Sequence, residues 1–387
     1  MSLQVQPVAG LPEISHGSDL ATLIVEALDR QGTTLVDGDI LVVTSKVISK
    51  AAGLRVPAGG RAAAVLEQSV RVVAERQSAA GITRIVQSRA GPVLAGAGID
   101  ASNVGPPQSP DGGDPPQATV LLLPPDPDAA AARLLADLED ALDRRSGRAP
   151  RLGLVISDTA GRPWRRGQVD FALGAAGLRV AVDYRDRRDD DGLALAVTMR
   201  AVADEVACAA DLVKSKTRRI PVAVVHGLAD LVVASPTGAG TLVRTDETDW
   251  FALGHREAVR GALGVTPGTQ GALEVGIAPV DPAVDTREAR IARACALAVH
   301  PAGLSELAPT HPRAHLVTHE VDLGGAAVHV IQYGVRVEAP DSFTLGVVVA
   351  RLMTALAGED VPVALAQQED RPTPGGTPRA RALLVFC

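Results

Sequence analysis

A chain of 387 residues, 46% of them hydrophobic, is long enough for two or three domains, but with only 2% aromatics its cores must be filled by Ala, Val and Leu. The net charge of −7 excludes a general nucleic-acid binder with a basic face. Cys208, Cys295 and Cys387 form no ligand-spaced pair, which excludes a disulfide scaffold and a structural zinc site. No charged-then-apolar leader and no apolar run of about 18 residues stands out, so a cytoplasmic protein with no membrane partner is expected.

In chain order, the first 50 residues read as strand, helix, strand. Residues 19–30 carry apolar residues at helical spacing (Leu20, Leu23, Ile24, Ala27, Leu28), Asp37-Gly38-Asp39 makes a turn, and Ile40 to Thr44 is a β-branched run typical of a buried strand. Residues 61–80 are expected to be helical up to Gly81. Strands are expected at 82–87 and 92–94, leading into a loop at Asp100. Residues 104–117 hold five prolines and three glycines and read as a surface excursion. Asp126 and Pro127 supply a cap and a first-turn proline for a helix through Leu134, Leu135, Leu138 and Leu142.

Residues 157–174 are the most informative stretch. The apolar run Leu152 to Ile156 reads as a buried strand that delivers Ser157, Asp158 and Thr159 to a Gly/Pro turn. A carboxylate and a hydroxyl at the carboxyl end of such a strand suit a hard divalent cation near phosphates. Arg162, Arg165 and Arg166 follow within five residues and suit phosphate or carboxylate groups. The mixed-charge run at 185–191 reads as a solvated segment, 193–214 as a long helix, and 220–225 as another buried strand. Beyond residue 250, helices are expected at 250–263, 290–300 and 343–357, and strands at 326–333 and 381–386. Alternating strands and helices make the fold class α/β, with α+β character.

Five blocks in order carry a resemblance: Leu11-Pro12-Glu13-Ile14, residues 43–50 (VTSKVISK), residues 97–103 (AGIDASN), the Ser-Asp-Thr segment, and residues 220–227 (IPVAVVHG). Over roughly residues 7–250 the chain resembles the coenzyme F420-0:L-glutamate ligases, which add glutamate to the deazaflavin coenzyme F420. The resemblance implies a two-lobed ligase domain over 1–250 with a nucleotide site between the lobes, followed by a smaller α/β domain over 251–387. Actinobacterial relatives often carry a flavin-binding, nitroreductase-like domain in that second position. It also implies a GTP-dependent amide ligase in F420 biosynthesis, working through an acyl phosphate on GTP, L-glutamate and F420-0. Homodimers and two divalent ions, Mg2+ or Mn2+, go with it, K+ is a further candidate, and FMN is a candidate for the tail.

By the same resemblance, Asp100 and Asp158 are the carboxylates for one divalent ion, and Thr159 touches a second. Leu11, Pro12, Glu13 and Ile14 cradle the nucleotide through backbone groups, Ser45, Lys46 and Lys50 contact phosphates, and Asn103 contacts the nucleotide. Asp158, Arg162 and Arg165 are the candidate catalytic residues, the arginines serving the transferred phosphoryl group or the acidic deazaflavin tail. Lys216 stands at a metal- or nucleotide-contacting position where relatives often have glutamine, a departure because a lysine repels a cation. Ala90-Gly91 replaces a frequent His-Gly pair, and His226 stands where arginine is common. Read from the residues alone, these aspartates also suit turn capping, the lysines a solvated surface, and the arginines pairing with Asp170 or Asp183. The competing activities are a bifunctional ligase with a flavin-dependent reductase tail, a non-catalytic nucleotide or deazaflavin binder, and a phosphatase or kinase. The lack of a G-x-x-x-x-G-K-[ST] string argues against a P-loop enzyme.

Overall fold

The computed structural model describes residues 2–101, 118–185, 188, 190–193, 199–214, 217–234, 237–300, 326–371 and 379–387. The described elements are mixed helix and strand, as the α/β expectation requires. The chain divides into two compact units: residues 1–70 with 86–250, and residues 71–85 with 251–387.

The first unit is built on a five-stranded mixed sheet. Its strands are β1 (Gln4–Val8), β2 (Ile40–Thr44), β3 (Gly153–Arg162), β4 (Arg165–Ala176) and β5 (Val222–His226), in the order β1-β5-β2-β3-β4. Only β2 and β3 run parallel; the other neighbours are antiparallel. Side chains alternate along each strand. Leu41, Val43, Leu154 and Ile156 therefore join one core with helices α1 (Leu20–Arg30), α2 (Ser45–Ala51) and α3 (Pro127–Ser146). Ile40, Val42 and Val155 join the opposite core against helix α4 (Val202–Asp211). Helices on both faces explain why the central strands are unbroken apolar runs.

Local chemistry accounts for the helix ends. Asp19 accepts the Thr22 N–H at 3.0 Å, and Asp126 accepts the Ala129 N–H at 2.9 Å ahead of Pro127. Helix α3 closes on Gly147 in the left-handed region, φ 72°. Small residues let layers approach closely: a Cβ on Gly174 would lie 2.3 Å from the Pro127 carbonyl oxygen. Asp128 fastens the same corner by accepting the N–H groups of Ala175 at 2.8 Å, Ala239 at 2.8 Å and Gly240 at 3.0 Å.

Three segments differ from expectation. The helix expected over 61–80 spans only Arg61–Glu67; from Ser69 to Ser78 the chain is a strand, because the valines at 70, 72 and 73 prefer a pleated surface. The helix expected over 193–214 is α4, preceded by a short strand at Met199–Arg200. The Ser-Asp-Thr segment is no loop: β3 runs through it to Arg162, and the turn lies at Pro163-Trp164. The excursion expected at 104–117 lies outside the described residues.

The second unit packs helices α5 (His255–Ala262), α6 (Gln270–Val275), α7 (Arg287–Ala298) and α8 (Ser342–Gly358) with an antiparallel sheet in the order Ala327–Ile331, Gly334–Ala339, Arg379–Phe386, Val363–Arg371. Its core of Ile291, Leu297, Val335, Val337, Leu345, Leu352, Leu356 and Leu384 contains no fully buried aromatic side chain among the described residues. Buried charges are paired: Arg293 reaches Asp285 and Glu359, each at 2.7 Å, and Arg84 reaches Glu75 at 3.2 Å. No helix among the described residues is long and apolar enough to cross a membrane.

Candidate active site

Strands β2 and β3 stay paired up to Thr44 and Ser157. Beyond that pair β2 turns into α2 at Ser45, while β3 continues as a hairpin with β4. The divergence leaves Asp158 beside the start of α2, and the buried Ser45 hydroxyl hydrogen-bonds its carboxylate. Asp100 is brought in by a backbone bridge to Leu121, with N–H···O distances of 3.0 and 2.9 Å. Lys46, from the first turn of α2, pairs with Asp100 at 2.7 Å.

The other face of the hairpin carries a second cluster. Register places Thr159 opposite Asp170 and Ser157 opposite Ala172, after a bulge in β4. Asp170 accepts the hydroxyls of Thr159 at 2.7 Å and Ser157 at 2.9 Å. Lys214, just past the end of α4, donates to both Asp170 and Ser157 at 2.5 Å. This ion pair is almost fully enclosed, with side-chain exposures of 6% for Lys214 and 3% for Asp170.

Asp158 is the electrostatically distinctive member. Its carboxyl is pushed up to about 6, first by burial and then by the charges of Asp170 and Asp100; the Thr159 N–H, at 2.9 Å, and the Ser45 hydroxyl pull the other way. No ammonium or guanidinium lies within ion-pair distance of Asp158 among the described residues. Among those residues no three His, Cys, Asp or Glu side chains form a metal-ligand cluster. Magnesium and manganese nevertheless take as few as one or two carboxylates when phosphates complete the shell. Asp158 and Asp100 could supply such a pair, and a dication beside them would offset both the burial and the neighbouring carboxylate charges that raise Asp158.

A protein-family profile described as F420-0:Gamma-glutamyl ligase matches residues 10–227, which contain this whole arrangement. The chain is 35% identical over 267 residues to the coenzyme F420:L-glutamate ligase of Methanothermobacter thermautotrophicus, covering 99% of that protein and 65% of this chain. The chain belongs to the F420-0:gamma-glutamyl ligase family. Similar relatives carry the same name in Halobacterium salinarum, 35% identical over 275 residues (66% of this chain, 96% of that protein), and Halorubrum lacusprofundi, 36% identical over 231 residues (54% and 81%).

In this member of the ligase family the expected site residues fall into three groups. Ser45, Lys46, Asp100 and Asp158 come together at the divergence of β2 and β3, whereas the Thr159 side chain lies on the other face of the hairpin and donates to Asp170. Lys50, also on α2, is buried and paired with the exposed carboxylate of Glu13; Ile14 anchors the extended segment 11–14 in the core, with Leu11 packed against that core and Pro12 exposed. Arg162, Arg165 and Arg166 stand apart: Arg162 and Arg165 face each other at the exposed end of the hairpin, about 13 Å along the strand from Asp158 at ~3.3 Å per residue. The acids weighed as their partners are engaged elsewhere, Asp170 by Lys214 and Asp183 by Arg185. Asn103 and Lys216 lie outside the described residues. His226 places its Nδ1 2.7 Å from an Asp39 carboxylate that also accepts the Val36 N–H at 2.8 Å.

Sequence reasoning had no role at the site for Asp170 and Lys214. Asp170 entered only as an arginine partner and Lys214 only as the end of a helix. The available signal was the hairpin: two runs meeting at a turn at Pro163-Trp164 put Asp170 opposite Thr159.

Proposed function

We propose that this protein joins L-glutamate to coenzyme F420-0 by an amide bond, at the expense of GTP. The observation that carries the reading is the oxygen-rich cluster of Ser45, Asp100 and Asp158, flanked by Lys46, inside the region that matches the ligase family. A substrate carboxylate oxygen attacks the γ-phosphorus of GTP, and GDP leaves with the electrons of the broken bond. The neutral amine of glutamate then attacks the acyl carbon, phosphate departs, and the amine's proton passes to solvent.

The protein contributes position and charge. Asp158 with Asp100 would hold a magnesium or manganese ion, which supplies charge neutralisation to phosphate oxygens when bound. Lys46 is a point charge for phosphate that is parked on Asp100 until phosphate arrives. Arg162 and Arg165, at the outer end of the hairpin, suit the acidic deazaflavin tail better than the transferred phosphoryl group, since β3 carries them away from Asp158.

The test is to incubate the full chain with F420-0, L-glutamate, GTP and Mn2+ and to weigh the products. A gain of one or more glutamyl units supports the reading. No gain, with every component intact, rejects it.

A further inference from the structure

The two clusters on β3 differ in one respect. Asp100 has the ammonium of Lys46, and Asp170 has that of Lys214, but Asp158 between them has no fixed cation among the described residues. The cluster around Asp170 is also saturated. Its Oδ2 accepts from Lys214 and Ser157, its Oδ1 accepts from Thr159, and the Ser157 oxygen receives a second Lys214 proton. An ammonium bonded at 2.5 Å to a carboxylate and a hydroxyl occupies the ground a small metal ion would take among those oxygens. Alternation along β3 turns Ser157 and Thr159 toward α4 and Asp158 toward α2, so Thr159 is not on the face that Asp158 presents.

We propose that Lys214 is a built-in cation that fills the Ser157–Thr159–Asp170 oxygen nest, so that this protein takes one divalent ion, at Asp158, and none at Thr159. The inference rests on the metal reading of the preceding section and departs from the two-ion expectation. Burial explains why the substitute is a lysine: Lys214 and Asp170 are both nearly excluded from water, where an unpaired carboxylate is strongly disfavoured. A tethered ammonium neutralises Asp170 at every stage, whether or not nucleotide is bound. Lys214 is thus a positioning residue, holding Asp170 and through it the Thr159 hydroxyl.

The test counts Mn2+ bound per chain by equilibrium dialysis of the full-length protein with Mn2+ and a saturating non-hydrolysable GTP analogue, whose phosphates complete the shell. The wild type is expected to bind one ion, and Asp158→Asn none. In Lys214→Gln the nest loses its ammonium and the count should rise to two, with a thermal midpoint that climbs with Mn2+ more steeply than the wild type's. If Lys214→Gln folds poorly, recovery of its native circular dichroism on adding Mn2+ reads the same event. The charge-free pair Asp170→Asn/Lys214→Gln should return to one. Two ions in the wild type, or an unchanged count together with unchanged Mn2+ stabilisation in Lys214→Gln, overturns the proposal while leaving the metal reading intact. No Mn2+ on the wild type overturns both.

Discussion

Thr44 and Ser157 are the last register partners of the parallel strand pair in the five-stranded sheet, and the next residue of each strand goes a different way. Ser45 enters a helix and Asp158 stays in a strand, so a hydroxyl and a carboxylate that begin as neighbours in the sheet end as a hydrogen-bonded pair at its edge. Parallel strands in α/β folds place functional groups at their carboxyl ends for this reason.

Replacing Asp158 by Asn keeps the shape and removes the charge. Glutamyl addition, followed by product mass, is expected to slow by about a hundredfold or more, the scale set by loss of one well-placed electrostatic group. The far-ultraviolet circular dichroism should not change.

The same substitution should stabilise the metal-free protein near neutral pH. The folded-state value of Asp158, about 6, lies above that of an unfolded aspartate, so the folded state holds more protons between about pH 4 and 6, and its stability falls as pH rises through that window. Asp158→Asn escapes that loss. In EDTA it should exceed the wild type by on the order of 2 kcal/mol at pH 7.5, and the gap should close toward pH 4 in urea unfolding. A gap independent of pH would count against the assignment.

In the second unit, Arg293→Met should cost about 1.5–3 kcal/mol in urea unfolding, because it removes the shortest charged hydrogen bond of both Asp285 and Glu359 and leaves them the longer contacts to Arg256, Arg260 and Arg290. Burial by itself would raise the Asp285 carboxyl, but the hydrogen bond and charge of Arg293, with the charges of Arg256 and Arg290, outweigh it and hold the group below its ordinary value. That contribution is present in full above about pH 4 and is lost as pH falls through the depressed value. Wild-type stability should therefore drop more steeply on acidification than that of Arg293→Met.

Gly174→Ala places a methyl against the Pro127 carbonyl, where an ideal Cβ would be 2.3 Å from the oxygen. A loss of about 1–3 kcal/mol is expected from overpacking. Gly147→Ala is a useful contrast: no described residue lies within 4 Å of an added Cβ there, and the backbone at φ 72° resists the change.

Much of the fold was legible where local chemistry and periodicity agreed. The capped helix from Pro127, the buried runs at 40–44 and 222–226, and the apolar face of α1 each combine a start signal with the right spacing. The hairpin was not legible as strands, since Gly161, Pro163 and three arginines mimic a loop; exposure at its outer end removes the alternation that marks a half-buried strand. Asp158 and Asp100 could be singled out because they lie inside short recognisable strings. Asp170 and Lys214 could not, because their relation to Thr159 and Ser157 depends on strand register and on where α4 stops, and both are tertiary facts.

The hairpin also fixes a length scale. Because Asp158 and Arg162 share one strand, their spacing is set by residue count and not by a flexible connection. Adding one residue to each arm between Asp158 and the turn would flip the tip arginines to the opposite face; adding two would restore the face and carry them about 7 Å farther out. The strand thus acts as a ruler graduated in steps of two, and a chain of this family could change the reach of its arginine tip without disturbing the carboxylate at the ruler's base.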